Sequence, residues 1–249
     1  MLDPIVLLAL ACAGALGGFV DAIGGGGGLI ALPALLAAGV PPIAALGTNK
    51  VQSLMGTGIA AITYWRGGFI SLRDLARSIV LTFAAAFFGA WVVKQIDISI
   101  LKTAVPVILI LIAAYFIFAP RLSDDARHAR LAFPQLVPLL GMLVGFYDGA
   151  FGPGTGTFLT VGFVALFGLG MTRAAGHAKI LNLASNLGAL AMFIPSGDVV
   201  WIAAGVMAIG QLIGGYVGAL TGIRYGARII RPIVILVSIA LTIRLLVFR

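Results

Sequence analysis

Apolar runs follow one another along almost the whole of this 249-residue chain, and only 10% of its residues are Asp, Glu, Lys or Arg. A soluble domain carries about 25% charged residues. This chain therefore lacks the polar side chains needed to cover a surface in water. A soluble globular enzyme, a disordered chain and an extracellular disulfide scaffold are excluded on that ground. The runs suit helices that cross a bilayer, about 20 residues each, better than barrel strands. The expected fold class is an all-α polytopic membrane protein. It has ten helical segments, roughly seven or eight of them full spans by hydropathy.

The apolar segments fall at 4–19, 29–40, 43–65, about 75–93 and 98–118, and then at 133–147, 158–169, 174–194, 199–223 and 229–248. The most polar stretch of the chain, 121–132, separates the two groups. The expected organisation is a first transmembrane repeat at 1–120, a polar linker, and a second repeat at 133–249. Adding 129 to the residue number carries Gly25 to Gly154, Gly27 to Gly156, Gly47 to Gly176, Lys50 to Lys179, Leu54 to Leu183 and Gly89 to Gly218. An offset of 127 carries Gly18-Phe-Val-Asp21 to Gly145-Phe-Tyr-Asp148. Matched glycines mean little in a chain with 34 of them, but matched lysines inside apolar stretches are harder to dismiss. Internal repeats are a signature of secondary transporters, with the substrate near the membrane midplane between them.

Two segments, 29–40 and 158–169, are about 18 Å long as helices. They cannot cross a hydrocarbon core of about 30 Å. Each follows an acid and a glycine-rich turn, Gly24 to Gly28 in one case and Gly152-Pro-Gly-Thr-Gly-Thr157 in the other. Half-helices starting inside the membrane are expected, since irregular backbone survives there only when packed in protein or lining a cavity. The first N–H groups of a helix lack internal partners and point outward with a partial positive charge. Glycines let an anion approach them closely. Gly26, Gly27, Gly28, Gly154, Thr155, Gly156 and Thr157 are therefore candidate substrate-binding residues, the two hydroxyls also being able to cap the helix. Tight helix crossing, as in small-xxx-small motifs, is the competing explanation for the glycines.

The following segments carry polar stripes: Thr48, Gln52 and Met55 have helical spacing in one, with Asn49 and Lys50 beside them, and His177, Asn182, Ser185 and Asn186 in the other, with Lys179 beside them. Thr48, Asn49, Lys50, Gln52, His177, Lys179, Asn182 and Asn186 join the candidate substrate-binding residues. An ionisable residue inside a membrane segment is a functional candidate by default. Snorkelling to headgroups is the alternative for both lysines. Asp21 and Asp148 need Lys50 or Lys179 as partners or else a proton. They are candidates for proton coupling, with local helix capping as the competing role. His177 is a weaker titratable candidate. No catalytic residue, metal site or cofactor is expected. The single cysteine, Cys12, excludes an internal disulfide and a Cys-based zinc site. A lipoprotein signal ending at Cys12 is not expected, as no basic residue precedes it.

The glycine run with Leu29-Ile30 and Pro33, followed by Gly47-Thr-Asn-Lys50, resembles the first repeat of the sulfite exporter TauE/SafE family. Gly152-Pro-Gly-Thr-Gly-Thr-Phe158, followed by Ala178-Lys-Ile-Leu-Asn-Leu-Ala-Ser-Asn-Leu187, resembles its second repeat. The likeness covers essentially the whole chain. It implies a multi-pass permease of the bacterial inner membrane for small organosulfur or related anions, including sulfite, sulfonates and sulfoacetate. His177 stands where a small residue would be expected, so substrate or pH response can differ.

The net charge of +8 comes from 16 Lys and Arg against eight aspartates. The bases sit mostly in loops, which points to topology and anionic headgroups rather than nucleic acid. Inverted repeats gather Arg66, Arg73, Arg77, Arg121, Arg127, Arg130, Arg224, Arg228 and Arg231 on one face, against Lys94, Lys102, Arg244 and Arg249 on the other. Same-way repeats separate them less well, so inversion is favoured, with the amino terminus outside; same-way repeats of about eight spans are the alternative. The expected partners are a small anion and membrane lipids, with a homodimer left open. The leading function is a secondary transporter of a small anion. Alternatives are an anion channel using the same glycine turns, and an intramembrane enzyme on lipid phosphate built from Asp148, His177 and Arg173. The enzyme reading lacks a His-Glu-x-x-His motif or a Gly-x-Ser-x-Gly elbow.

Overall fold

A computed structural model gives the architecture of residues 3–97, 99–101, 103–105, 107, 111 and 133–226. The expected linker at 121–132, the last segment at 229–248 and much of the segment at 98–118 lie outside the described residues. The described elements are helical: α1 (Pro4–Gly24), α2 (Gly28–Ala37), α3 (Pro42–Arg66), α4 (Leu72–Lys94), α5 (Phe133–Ala150), α6 (Thr155–Phe167), α7 (Met171–Phe193) and α8 (Trp201–Tyr225).

Local chemistry explains the start of α1. Asp3 caps it by accepting from the Ile5 N–H at 2.7 Å, and Pro4 occupies the first turn, where its missing N–H costs nothing. The helix then runs past the apolar stretch at 4–19, through Asp21 to Gly24. Likewise α5 passes position 147 and includes Asp148. The acids do not end these helices because each finds a lysine inside the protein. The breaks come at the glycines instead. Gly25 (φ 74°) and Gly26 (φ 140°) follow α1, and Gly152 (φ 94°) and Gly154 (φ 83°) follow α5. Positive φ is open to Gly at no steric cost.

After each break the chain turns back on itself. Gly27 rests against the Gly17 backbone, while Ala34 and Ala37 near the end of α2 flank Ile5 and Ala9 at the start of α1. In the same way α6 returns along α5, with the Tyr147 and Phe158 rings 5.5 Å apart and Gly162 seated on Leu140. Both short segments are thus independent helices of 10 and 13 residues, about 15–20 Å long.

Long helices surround these hairpins. Helices α1, α4 and α8 are each long and apolar enough to cross a membrane. Glycines four residues apart seat α8 on α1: Gly210 meets Ala11, Gly214 meets Ala15, and Gly218 meets Phe19. Gly141, Gly145 and Gly149 of α5 seat it on Thr82 and Ala86 of α4 in the same fashion. Helices associate in lipid through such close packing, since apolar burial gives no net drive there. Helices α3 and α7 are of similar length but carry polar side chains that are buried within the protein. They run antiparallel. Gly47 near the start of α3 lies against Phe193 at the far end of α7 and Asp198 in the turn beyond it, and Gly176 near the start of α7 lies against Tyr64 and Ile70.

The outward surface is apolar. Ile5 is 78% exposed, Val80 66%, Leu143 64% and Ile209 63%. An apolar rim around a polar interior is the arrangement lipid demands.

Candidate functional site

The two glycine turns meet at the centre of the molecule. A Cβ on Gly156 would fall 2.8 Å from the Gly25 Cα, and one on Gly28 would fall 3.1 Å from the Pro153 Cα. Backbones this close require glycine on at least one side. The Thr157 hydroxyl spans the junction, lying 2.8 Å from the Gly24 carbonyl and also touching the Gly25 carbonyl. Thr155 lies 2.6 Å from Asp148 Oδ1 and 2.7 Å from the Gly152 carbonyl, so its single proton serves one of these at a time. Neither hydroxyl caps α6.

Lys50 and Lys179 are both fully buried. Each pairs with the aspartate of the other half. Lys50 Nζ lies 2.8 Å from Asp148 Oδ2, and Lys179 Nζ lies 2.9 Å from Asp21 Oδ2. Neither lysine snorkels to a headgroup. The pairs differ in their surroundings. Lys179 also donates to the Asp21 backbone carbonyl, and Asp21 Oδ1 faces the Gly26 N–H at 3.4 Å. Asp148 Oδ2 has Lys50 as its one partner among the described residues.

Between the turns lies a cavity of about 10 Å³, enough for roughly one water molecule. Of the residues expected at the site, Gly26, Gly28, Asn49, Lys50, Gly154, Thr155, Gly156, Asn182 and Asn186 line it, together with Asp21 and Asp148. The remaining expected residues stand elsewhere. Gly27 packs on Gly17 and Asp21. Thr157 serves the turn–turn junction. Lys179 stands behind Gly156, whose Cβ would lie 3.1 Å from its Nζ. Gln52 donates to Asn49 Oδ1 at 2.7 Å and so braces a lining residue. Thr48 accepts from the Val200 N–H at 2.9 Å, toward the α7–α8 turn. His177 Nδ1 lies 2.7 Å from the Arg173 carbonyl, and its ring packs 5.6 Å from that of Phe163, so it faces α6 rather than the cavity.

Ser53 and Gly152 also line the cavity. Both had a readable signal. Ser53 maps onto Asn182 by the offset of 129, and Gly152 maps from Gly25 by the offset of 127. Gln211 is a further buried polar residue with no such signal. It is 1% exposed and sits in a gap left by Gly18 and Gly56. Among the described residues, no group of three His, Cys, Asp or Glu could hold a metal ion.

The lining carries the groups a small polar solute needs, but the cavity as it stands takes about one water molecule, so a larger solute requires the turns to part. Lys50 supplies charge, and Asn49, Ser53, Asn182 and Asn186 supply side-chain hydrogen bonds in a setting from which most water is excluded.

Comparison with known proteins agrees with this architecture. The chain is 44% identical over 229 residues to "Probable membrane transporter protein ORF9" of a Sinorhizobium species, covering 92% of this chain and 88% of the relative. It is 39% identical to a "Probable membrane transporter protein" of Haemophilus influenzae, covering 95% and 93%. It is also 39% identical to "Probable membrane transporter protein YfcA" of Escherichia coli K12, covering 99% and 91%. No solved structure matches it. The family model described as sulfite exporter TauE/SafE matches residues 10–245. This multi-pass membrane protein therefore belongs to the TauE/SafE family of membrane transporters.

Proposed function

We propose that the chain is a secondary transporter of a small anion, sulfite, a sulfonate or a related organosulfur or carboxylate anion. The anion binds between two inverted repeats at the glycine turns, in the bacterial inner membrane. The observation that carries this reading is the buried Lys50 beside two facing glycine turns, with Asn49, Asn182 and Asn186 on the same small cavity. Ammonium, amide N–H donors and backbone groups at helix starts are the partners an oxyanion needs.

Several features support the repeats. The matched helices α3 and α7 run antiparallel, as inversion requires. Asn186 Nδ2 lies 3.4 Å from Thr57 Oγ1, at positions related by the offset of 129, where a two-fold axis would pass. The crossed lysine–aspartate pairs obey the same symmetry. Asp21 and Asp148 are the groups that can link transport to protons.

The test is a thermal-shift screen of the purified protein against sulfite, thiosulfate, methanesulfonate and acetate, followed by flux in liposomes. A ligand that binds only the native state raises its stability. The reading expects at least one of these anions to stabilise the protein and to enter liposomes with saturable, gradient-dependent kinetics. No stabilisation by any of them together with non-saturating flux would remove it.

A further inference from the structure

Resting on that reading, we infer that the two buried ion pairs divide the labour: Asp148 gives up Lys50 and takes a proton when the anion binds, while Asp21 keeps Lys179 throughout. One proton then accompanies each anion.

Charge balance requires some such exchange. The site holds two ammoniums and two carboxylates, all buried, and its net charge is zero. A monoanion entering this setting would leave it at −1. An uncompensated buried charge is strongly unfavourable. Proton uptake on one carboxylate restores neutrality and frees one lysine for the anion.

The geometry says which carboxylate. Both members of the Lys50–Asp148 pair line the cavity, whereas Lys179 stands behind Gly156. An anion that enters as the turns part meets Lys50, a lining residue, before Lys179. Asp148 Oδ1 is held 2.6 Å from the Thr155 hydroxyl, and Lys50, at 2.8 Å, is the one partner of Oδ2 among the described residues. When Lys50 turns to the anion, Oδ2 is left open to a proton. Asp21, by contrast, is tied down. Its carboxylate contacts Lys179 and the Gly26 N–H, and its carbonyl accepts from both Lys179 and the Gly25 N–H. Breaking that set would release the first glycine turn from α7.

Among the described residues around Asp148, the one other carboxylate is Asp21. Helix α3 presents Lys50, α1 presents Asp21 and α7 presents Lys179. Helix α6 presents the Thr155 hydroxyl, and α2 contributes glycine backbone. Helix α4 meets α5 here through Ala86 and Gly89. Tyr147, on α5 itself, turns away to donate to the Pro153 carbonyl at 2.6 Å. In the step proposed, a proton from water on the open side forms an O–H bond at Asp148 Oδ2, and the anion takes the carboxylate's place beside Lys50. On the far side the O–H bond breaks, the proton leaves to water with the anion, and the pair re-forms.

The probe is methanesulfonate, which stays a monoanion across the working pH range, so any proton that moves is carried by the protein. Full-length protein in liposomes is given a pH difference with the inside alkaline and the membrane potential clamped at zero. The inference expects about tenfold accumulation per pH unit, because one proton down one pH unit balances a tenfold concentration ratio. It also expects net uptake that is unchanged by an imposed potential. Asp148→Asn should still exchange labelled methanesulfonate, at a reduced rate, but should show no accumulation on a pH difference. Asp21→Asn should lower protein stability yet keep the tenfold accumulation in whatever protein folds. Wild-type uptake that responds to potential rather than pH would overturn the inference while leaving the carrier reading intact, and that result does not depend on any variant folding. Retained pH-driven accumulation in Asp148→Asn would overturn it as well. Absence of both exchange and net flux in the wild type would remove the carrier reading and this inference together.

Discussion

The centre of the molecule depends on a few side chains with unusually narrow tolerances. Gly25 combines a left-handed φ of 74° with backbone contact to Gly156 and Thr157. Gly39 has a similar φ of 81° but nothing within 4 Å of where a Cβ would be. An Ala at Gly39 should cost only the backbone strain, about 1–2 kcal/mol. An Ala at Gly25 adds a collision that neither turn can relieve, and folded protein should be lost. Size-exclusion profiles and thermal melts of the two variants compare them directly; similar melting points would contradict the collision. The ion pairs allow a second comparison. Removing one member of a buried pair strands the other charge and costs about 3–5 kcal/mol. Lys179→Met alone should be destabilised on that scale, and adding Asp21→Leu should recover much of the loss. A double variant no more stable than the single one would show that Lys179 supports the fold mainly through the Asp21 carbonyl.

At the scale of helices, glycine has two separate uses. In the turns it supplies conformations. On α5 and α8 it supplies closeness. A Cβ on Gly149 would strike the Ala86 carbonyl of α4, so Gly149→Ala should push α5 from α4 and lower the yield of folded protein. Gly205 lies on the same helix as Gly210 and Gly214, yet nothing stands within 4 Å of its Cβ position. Gly205→Ala should therefore stabilise α8 by about 0.5–1 kcal/mol, through helix propensity alone. A melting point lower than wild type would indicate a neighbour at Gly205 outside the described residues. The same contrast explains why counting glycines in sequence does not reveal their roles: the turn glycines are readable from their clustering, whereas packing glycines need to be seen against their neighbour.

For the whole molecule, the carrier reading has one face open while the other stays closed. One face is held by a partly exposed pair, Lys94 Nζ to Asp198 Oδ2 at 2.6 Å, which ties the end of α4 to the α7–α8 turn. The Asp198 carbonyl also packs on Gly47, and Thr48 accepts from Val200 beside it. At the other end of α3, Phe69 and Ile70 close over Tyr64 and Gly176 without an ion pair among the described residues. An exposed pair is worth about 1 kcal/mol or less. Lys94→Met should thus leave the melting point nearly unchanged but shift the opening equilibrium up to about fivefold. The measurement is maleimide labelling of Ser53→Cys, in a background with Cys12→Ser, because Cys12 is exposed. Labelling no faster in Lys94→Met would show that the pair does not restrain this face.

How much of this was legible without coordinates follows from the range over which each property is set. Membrane class and the short helices after glycine turns depend on local quantities: transfer free energies, segment length and the φ angles a residue can adopt. Those can be read from the chain, and they located most of the residues that line the cavity. The helix ends at Gly24 and Ala150 were not legible, because an acid inside an apolar run looks like a boundary until its lysine is known. The crossed pairing of Lys50 with Asp148 and Lys179 with Asp21 joins residues more than 90 positions apart. It depends on how helices cross, as does the turning of Thr48 and His177 away from the cavity. A polar stripe has a width of several residues around a helix, and only the neighbouring helices decide which of them face the cavity and which face a turn or an aromatic ring.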